Sequence, residues 1–452
     1  MTTTPHLVRT LGLRSLVLLG LAYMTPLIVL GIFGVVAETT AGASASAYLL
    51  ALVAMLFTAA SYGRMAAAYP VAGSAYTYVR RTIGARTGFM VGWAVLLDYL
   101  FLPMVIWLIG AAYLNAQFPS VSVAVWVLLF IALTTVLNIV GLKVADRTNF
   151  VLMVVQFLVV ILFVVLSVAS VLQDHGGSGL FSAGPFTNSA ASLSGVTSGA
   201  AIAAYSFLGF DAVTTFTEET IDPRRTVPRA VLLVALLGGV IFVVVSYTTQ
   251  LVHPGGHFAD SSSAAHDIAI KIGGSFFGAV FLTGLVVAQF TSGLAAQASA
   301  SRLMYAMGRD GVLPRRVFGR LSSRFASPMA GILLAAAVGL LATFLDVATS
   351  TSFINFGAFV AFTCVNLSVI AYYVRNRSGA RLSPVSFLVL PALGAAVCVY
   401  LLFHLDRHAI ILGLCWAALG LCMLGWLTRG FTRQPPEVAL DELDAAPPVP
   451  AA

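Results

Sequence analysis

Windows of about 20 apolar residues recur along nearly the whole chain, each long enough at ~1.5 Å rise per residue to cross ~30 Å of hydrocarbon. Inside a bilayer no water satisfies backbone amides and carbonyls, so such windows must cross as helices. The approximate spans are 13–37, 46–68, 88–117, 122–142, 148–172, 197–217, 229–252, 274–305, 329–346, 352–374, 385–404 and 409–428. About twelve crossings make an all-α polytopic membrane protein. Composition agrees, with 59% of the 452 residues hydrophobic and 9% charged, where a soluble domain carries roughly a quarter charged residues. The first span follows mostly polar residues and lacks a small-residue cleavage site after a short apolar core, so it reads as retained.

An even number of spans puts both termini on one side, and alternate loops then collect Lys and Arg. Arg64, Arg80, Arg81 and Arg86 follow span 2, Lys143 and Arg147 follow span 4, and Arg224, Arg225 and Arg229 follow span 6. Arg309, Arg315, Arg316, Arg320 and Arg324 follow span 8, Arg375, Arg377 and Arg381 follow span 10, and Arg9, Arg14, Arg429 and Arg433 flank the ends. Lys271 and Arg407 alone fall in predicted outside loops. The expectation from the charge pattern is that both termini are cytoplasmic, and the resemblance described below implies a bacterial inner membrane. The net charge of +7 therefore reads as topology, with no basic and aromatic module for nucleic acid.

The histidines after His6 (His175, His253, His257, His266, His404 and His408) lie in or beside outside loops with no metal-site spacing. Cys364, Cys398, Cys415 and Cys422 sit in late apolar spans and read as packing residues. No metal or cofactor is expected. The segments Gln173–Ser194 and His253–Asp267 read as outside surface loops.

Function in a polytopic chain concentrates where a spanning helix is interrupted, because freed backbone groups bind a solute only where they line a cavity. Span 1 contains Gly20-Leu21-Ala22-Tyr23-Met24-Thr25-Pro26, where proline removes an amide donor and clashes with the preceding turn. Span 6 contains Tyr205-Ser206-Phe207-Leu208-Gly209-Phe210-Asp211, a glycine beside an acid within an apolar stretch. The breaks occupy corresponding positions if spans 1–5 and 6–10 are two inverted halves, which places a site at the midplane.

Ionisable residues within a bilayer cost ~3 kcal/mol or more and therefore usually face a cavity. Asp98 and Asp211 are the clear cases, and neither has an intramembrane Lys or Arg to neutralise it. Either both carboxyls are protonated or a cationic substrate or coupling ion supplies the charge. Aromatic rings attract cations by ~0.5–2 kcal/mol, and Tyr23, Tyr99, Tyr205, Phe207 and Phe210 stand beside the acids or breaks. Glu218 and Glu219 lie at the inner end of span 6, as gating residues or as solvated ones.

These residues bring out a resemblance to the amino acid–polyamine–organocation permeases, and within them to the bacterial putrescine importers. It rests on 20–26, on Ala-Gly-Ser-Ala-Tyr-Thr-Tyr at 72–78, on Gly-Phe-Met-Val-Gly-Trp at 88–93 and on Leu-Asp-Tyr-Leu-Phe-Leu-Pro-Met at 97–104. Ser-Phe-Leu-Gly-Phe-Asp-Ala-Val-Thr-Thr at 206–215, Glu-Glu-Thr at 218–220, Ser-Arg-Leu-Met-Tyr-Ala-Met-Gly-Arg-Asp at 301–310 and Ile-Asn-Phe-Gly-Ala-Phe-Val-Ala-Phe-Thr at 354–363 complete it. The resemblance implies a leucine-transporter-type fold of five-plus-five inverted repeats with two added helices, and proton-driven uptake. The expected layout is a cytoplasmic N-terminus (1–12), repeats at 13–172 and 197–374, two further helices over 385–428 and a disordered tail from 429 to 452.

The reading is a secondary transporter for a small organic cation such as putrescine, with Tyr23, Thr25, Asp98, Tyr99, Tyr205, Phe207, Gly209, Phe210 and Asp211 binding substrate. Asp211, Glu218 and Glu219 are the candidates for proton coupling or gating. Thr291 and Ser292 offer an alternative sodium site, although hydroxyls in membrane helices more often bond their own backbone. An amino-acid permease or exchanger of the same fold stays open. A non-translocating substrate sensor is the alternative from another class. No nucleophile–base or metal motif points to an enzyme.

Overall fold

The computed structural model describes residues 9–70, 75–140, 146–309, 311–322, 325, 327–377 and 382–436, with the backbone alone at 146–150 and 218. In chain order the helices are α1 (Leu13–Met24), α2 (Ile28–Gly31), α3 (Phe33–Thr39), α4 (Ser44–Ala68), α5 (Ala75–Thr82), α6 (Ala85–Gln117), α7 (Val123–Val140) and α8 (Asp146–Gly179). They continue as α9 (Leu193–Ala203), α10 (Pro223–Val252), α11 (Ala264–Arg309), α12 (Arg315–Phe318), α13 (Met329–Gly339), α14 (Val347–Asn376), α15 (Leu390–Leu402) and α16 (Arg407–Leu427). Two 3₁₀ segments, Ala204–Phe207 and Phe210–Glu219, extend α9. No named strand occurs among the described residues.

Among these, eleven crossings are long and apolar enough to span a bilayer, and Met329–Thr343 is a shorter twelfth apolar helix. The crossings follow the predicted order, and the chain is a multi-pass all-α membrane protein. α6 and α14 bury most of their spanning windows, whereas α7, α8 and α16 leave most of theirs uncovered. What those outer helices expose is apolar, including Leu129, Val136, Leu158, Ile161, Leu414 and Leu419. Such a girdle is an aggregation surface in water and a matching surface in lipid. We call the end where α1 begins the basic face, because the predicted Arg-rich connections gather there.

The α4 helix packs along α10, and α6 packs along α11 and α14. Glycines set the close approaches: a Cβ on Gly63 would come within 3.2 Å of Pro228 on α10, and one on Gly110 within 2.7 Å of Phe130 on α7. α16 is tied to α6 by reciprocal indole bonds, Trp93 Nε1–H to the Trp416 carbonyl and Trp416 Nε1–H to the Trp93 carbonyl, both 2.9 Å. The two rings stack at 4.9 Å between centroids.

Several boundaries differ from those expected. Span 1 is three pieces rather than one interrupted helix, with a second discontinuity at Ile32 between α2 and α3. The segment after span 5, expected as loop from Gln173, stays helical to Gly179 past a non-helical Gly176. Polar residues beyond the hydrocarbon edge continue the helical hydrogen bonds without needing an apolar face. The segment His253–Asp267 likewise turns helical at Ala264, where α11 begins. In the tail, residues 429–432 form turns in which Thr432 Oγ1 donates to the Thr428 carbonyl, and Arg86 donates to the Phe431 carbonyl. Residues 72–74 of the 72–78 motif, Lys143, Asp310, Arg324, Arg381 and the tail from 437 lie outside the described residues.

Candidate functional site

Both expected breaks are present. α1 stops at Met24, and Thr25 takes a left-handed conformation (φ 50°), its amide donating to the Ala22 carbonyl. Pro26 follows without an amide to give, so the ladder cannot resume until α2. In the sixth crossing the first 3₁₀ segment ends at an extended Leu208 (ψ 133°), and Gly209 adopts φ 97°. A β-carbon there would meet Tyr23 Cδ1 at 2.5 Å, so glycine is needed both for backbone angle and for space. The two breaks therefore lie against one another.

Beside them opens a cavity of about 370 Å³, within the size range of small-molecule sites. Tyr23, Thr25, Asp98, Tyr99, Tyr205, Gly209 and Asp211 all line it, as do Thr291 and Ser292. Asp98 lies on unbroken α6 with Oδ1 buried and without a hydrogen-bond partner. Asp211 lies in the second 3₁₀ segment and faces Tyr62 across the cavity lining. Tyr99 and Tyr23 line the same cavity. No described carboxylate–guanidinium or carboxylate–ammonium pair involves either acid.

Other predicted residues are not brought to the cavity. Phe207 is fully buried with its ring edge-on to Phe242 at 5.1 Å, and Phe210 packs at 5.7 Å on Tyr62 and 5.4 Å on Phe362. Adjacent positions in a tight 3₁₀ turn point in different directions, so nearness to the break in sequence does not make both residues wall. The Glu219 carbonyl accepts from the amides of Thr10 and Leu11 at the basic face, away from the cavity lining. Glu218 is described by its backbone alone. The Thr291 hydroxyl donates to the Val287 and Ala288 carbonyls of its own helix.

The sequence reading missed Tyr62, Gln156 and Gln289, which also line the cavity. Tyr62 sits in the unbroken helix α4 and is fully buried, so neither charge nor interruption marked it. Phe362 belongs to the 354–363 motif and was legible only through that motif.

The cavity is polar in direction. It reaches toward the basic face through Leu19, Val95, Phe216 and Ser299, and ends toward the opposite face at Ile28, Ile106 and Gln289. Beyond that end Leu27–Ala37 is buried throughout, and the Tyr113 hydroxyl donates to the Leu30 carbonyl at 2.6 Å. Phe33 meets Phe258 edge-on at 6.1 Å, and a Cβ on Gly34 would strike the Ser261 carbonyl oxygen.

A multi-pass helical protein with two crossings broken against a shared cavity is built as a transporter, and the chain belongs to the amino acid permease family, whose model matches residues 15–412. The low-affinity putrescine importer PlaP of Escherichia coli K12 is 39% identical over 96% of this chain and 97% of its own. The branched-chain amino acid permease BcaP of Bacillus subtilis is 25% identical over 91% of each. Cationic amino acid transporter 4 of the mouse is 30% identical over 82% of this chain and 60% of its own. Family and relatives alike are transporters, not enzymes.

Proposed function

We propose that this transporter imports a small diamine, putrescine or a near relative, by alternating access coupled to protons. The observation that carries the reading is the pair of carboxyls, Asp98 and Asp211, on one cavity wall with Asp98 Oδ1 lacking any partner. An ionised carboxylate without a counter-charge is strongly disfavoured in low dielectric. An alkyl diamine offers two ammonium groups that form charge-assisted hydrogen bonds with them, while Tyr99 and Tyr205 flank its methylenes and add cation–π attraction. In the empty cycle, protons on the same carboxyls take the place of the substrate. The 39% identity to a putrescine importer points the same way.

The positive-inside rule makes the basic face cytoplasmic, so the cavity described above faces the cell interior. Breaks that meet in the first and sixth crossings fit two inverted five-helix repeats. The second reading, an amino-acid permease, is favoured by the BcaP likeness, but needs free amides to hold a carboxylate. Pro26 withholds one at the break.

The test is uptake of radiolabelled putrescine into proteoliposomes under an imposed pH gradient, with sodium present or absent and amino acids as competitors. Uptake that follows the pH gradient, ignores sodium and resists competition supports the diamine importer. Amino-acid counterflow without putrescine uptake hands the site to the permease.

A further inference from the structure

We propose that Arg64, Arg81 and Arg375, with the rings of Tyr69, Tyr372 and Phe387, form a seat on the basic face for the phosphate of an anionic bilayer lipid. The seat lies where four parts of the chain end together: the last turns of α4 and α14, the last turn of α5, and the π-helical turn Val385–Val389 that leads into α15. Its members touch in sequence. The Arg64 guanidinium lies 5.7 Å from the centre of the Phe387 ring, which meets Tyr372 at 6.3 Å. Tyr372 meets Tyr69 edge-on at 6.0 Å, and Arg81 lies 5.6 Å over Tyr69. Arg375 Nη1 reaches the Arg81 carbonyl at 3.5 Å, the last link in this chain of contacts.

Three arginines lie along this series of contacts, with no described carboxylate paired to any of them. Arg64 adds the decisive feature, because its Nη1 is buried without a hydrogen-bond acceptor. A buried donor on a charged group left unmade is costly, and an anion that supplies the acceptor removes the cost. Forked guanidinium donors suit a carboxylate or a phosphate, and no described carboxylate reaches them.

The source of that phosphate follows from the surroundings. Val374, Val385 and Val389 are exposed apolar residues at the rim of the seat, on crossings whose uncovered faces meet hydrocarbon. A headgroup phosphate with its acyl chains laid along these valines satisfies the charged and the apolar surface together. Basic pockets between helices at the cytoplasmic boundary are suited to such headgroups.

Native mass spectrometry of the solubilised full-length protein, titrated with phosphatidylglycerol or with phosphatidylcholine of the same chains, tests the seat. Phosphatidylglycerol is expected to bind more tightly, and Arg64→Gln to weaken it on the order of tenfold. Because Arg64 is partly enclosed, the double variant Arg81→Gln/Arg375→Gln, at exposed positions, repeats the test without disturbing the interior. Arg315→Gln/Arg316→Gln on the same face is expected to change binding by roughly twofold or less.

Equal weakening by both double variants would reduce the effect to general surface charge and overturn the seat. Displacement of the lipid by an equal concentration of inorganic phosphate would overturn the lipid as its occupant. Neutralising Glu437, Asp441, Glu442 and Asp444 together is expected to leave lipid binding unchanged. A tenfold gain would assign the seat to the acidic tail instead.

Discussion

In each broken crossing one half supplies most of the cavity wall, and in both cases that half lies toward the basic face, while the other half reaches the wall only near the break, through Ile28 in one crossing and Tyr205 and Leu208 in the other. α1 and the second 3₁₀ segment contribute Leu19, Tyr23, Asp211 and Phe216 to the wall. α2, α3 and α9 are instead packed against neighbours, with Gly34 against Ser261 and Gly199 against Thr40. The sealed halves are built for close contact, since Gly34 and Gly199 admit no side chain without a clash. The lining halves carry the hydroxyls and the acid. Under the alternating access proposed above, the small-residue contacts of α3 part while the polar halves close.

The largest effect is expected at the wall. Asp98→Asn removes a carboxylate from a low-dielectric site while preserving its shape, and putrescine uptake is expected to fall ~100-fold or more in kcat/KM. Equal uptake by the variant would sink the diamine reading. Gly209→Ala attacks the junction of the two halves: a β-carbon at φ 97° costs about 1–2 kcal/mol in backbone strain alone. It also meets the Tyr23 ring, so uptake is expected to drop ~10-fold or more with membrane insertion retained.

Gly34→Val tests the seal directly. A side chain there strikes the Ser261 carbonyl, and the opposite face is expected to loosen. In a background lacking the native cysteines, labelling of Phe258→Cys by an impermeant thiol reagent from that face should rise about tenfold. Unchanged labelling would mean that the α3 contact does not hold the face shut.

A smaller effect is expected from Tyr62→Phe, which deletes the hydroxyl that faces Asp211. A single hydrogen bond to a carboxyl is worth ~1.5–3 kcal/mol at most, and a KM rise of roughly tenfold with kcat largely kept is expected. The smallest belongs to Thr291→Val, whose hydroxyl already bonds its own helix. Uptake should change about twofold or less, and a sodium-dependent loss would instead mark an ion site.

The sequence alone determined the architecture and where the breaks that border the cavity fall along the chain. Apolar windows, basic loops and the Thr25-Pro26 and Gly209 interruptions act locally: hydrocarbon leaves a crossing backbone no alternative to helix, and these residues interrupt the helical ladder wherever it passes. Asp98 and Asp211 stood out because a charge within an apolar run is anomalous before any neighbour is known. The tertiary structure decided everything that depends on direction and on partners. It turned Phe207 and Phe210 away from the cavity, brought Tyr62 from an unremarkable helix to face Asp211, and left Asp98 Oδ1 alone. It also set which end of the cavity is closed, through contacts such as Gly34 on Ser261 and Phe33 on Phe258. Those contacts join residues more than two hundred positions apart, and no local pattern encodes them, because packing is a property of two surfaces and each segment carries only one.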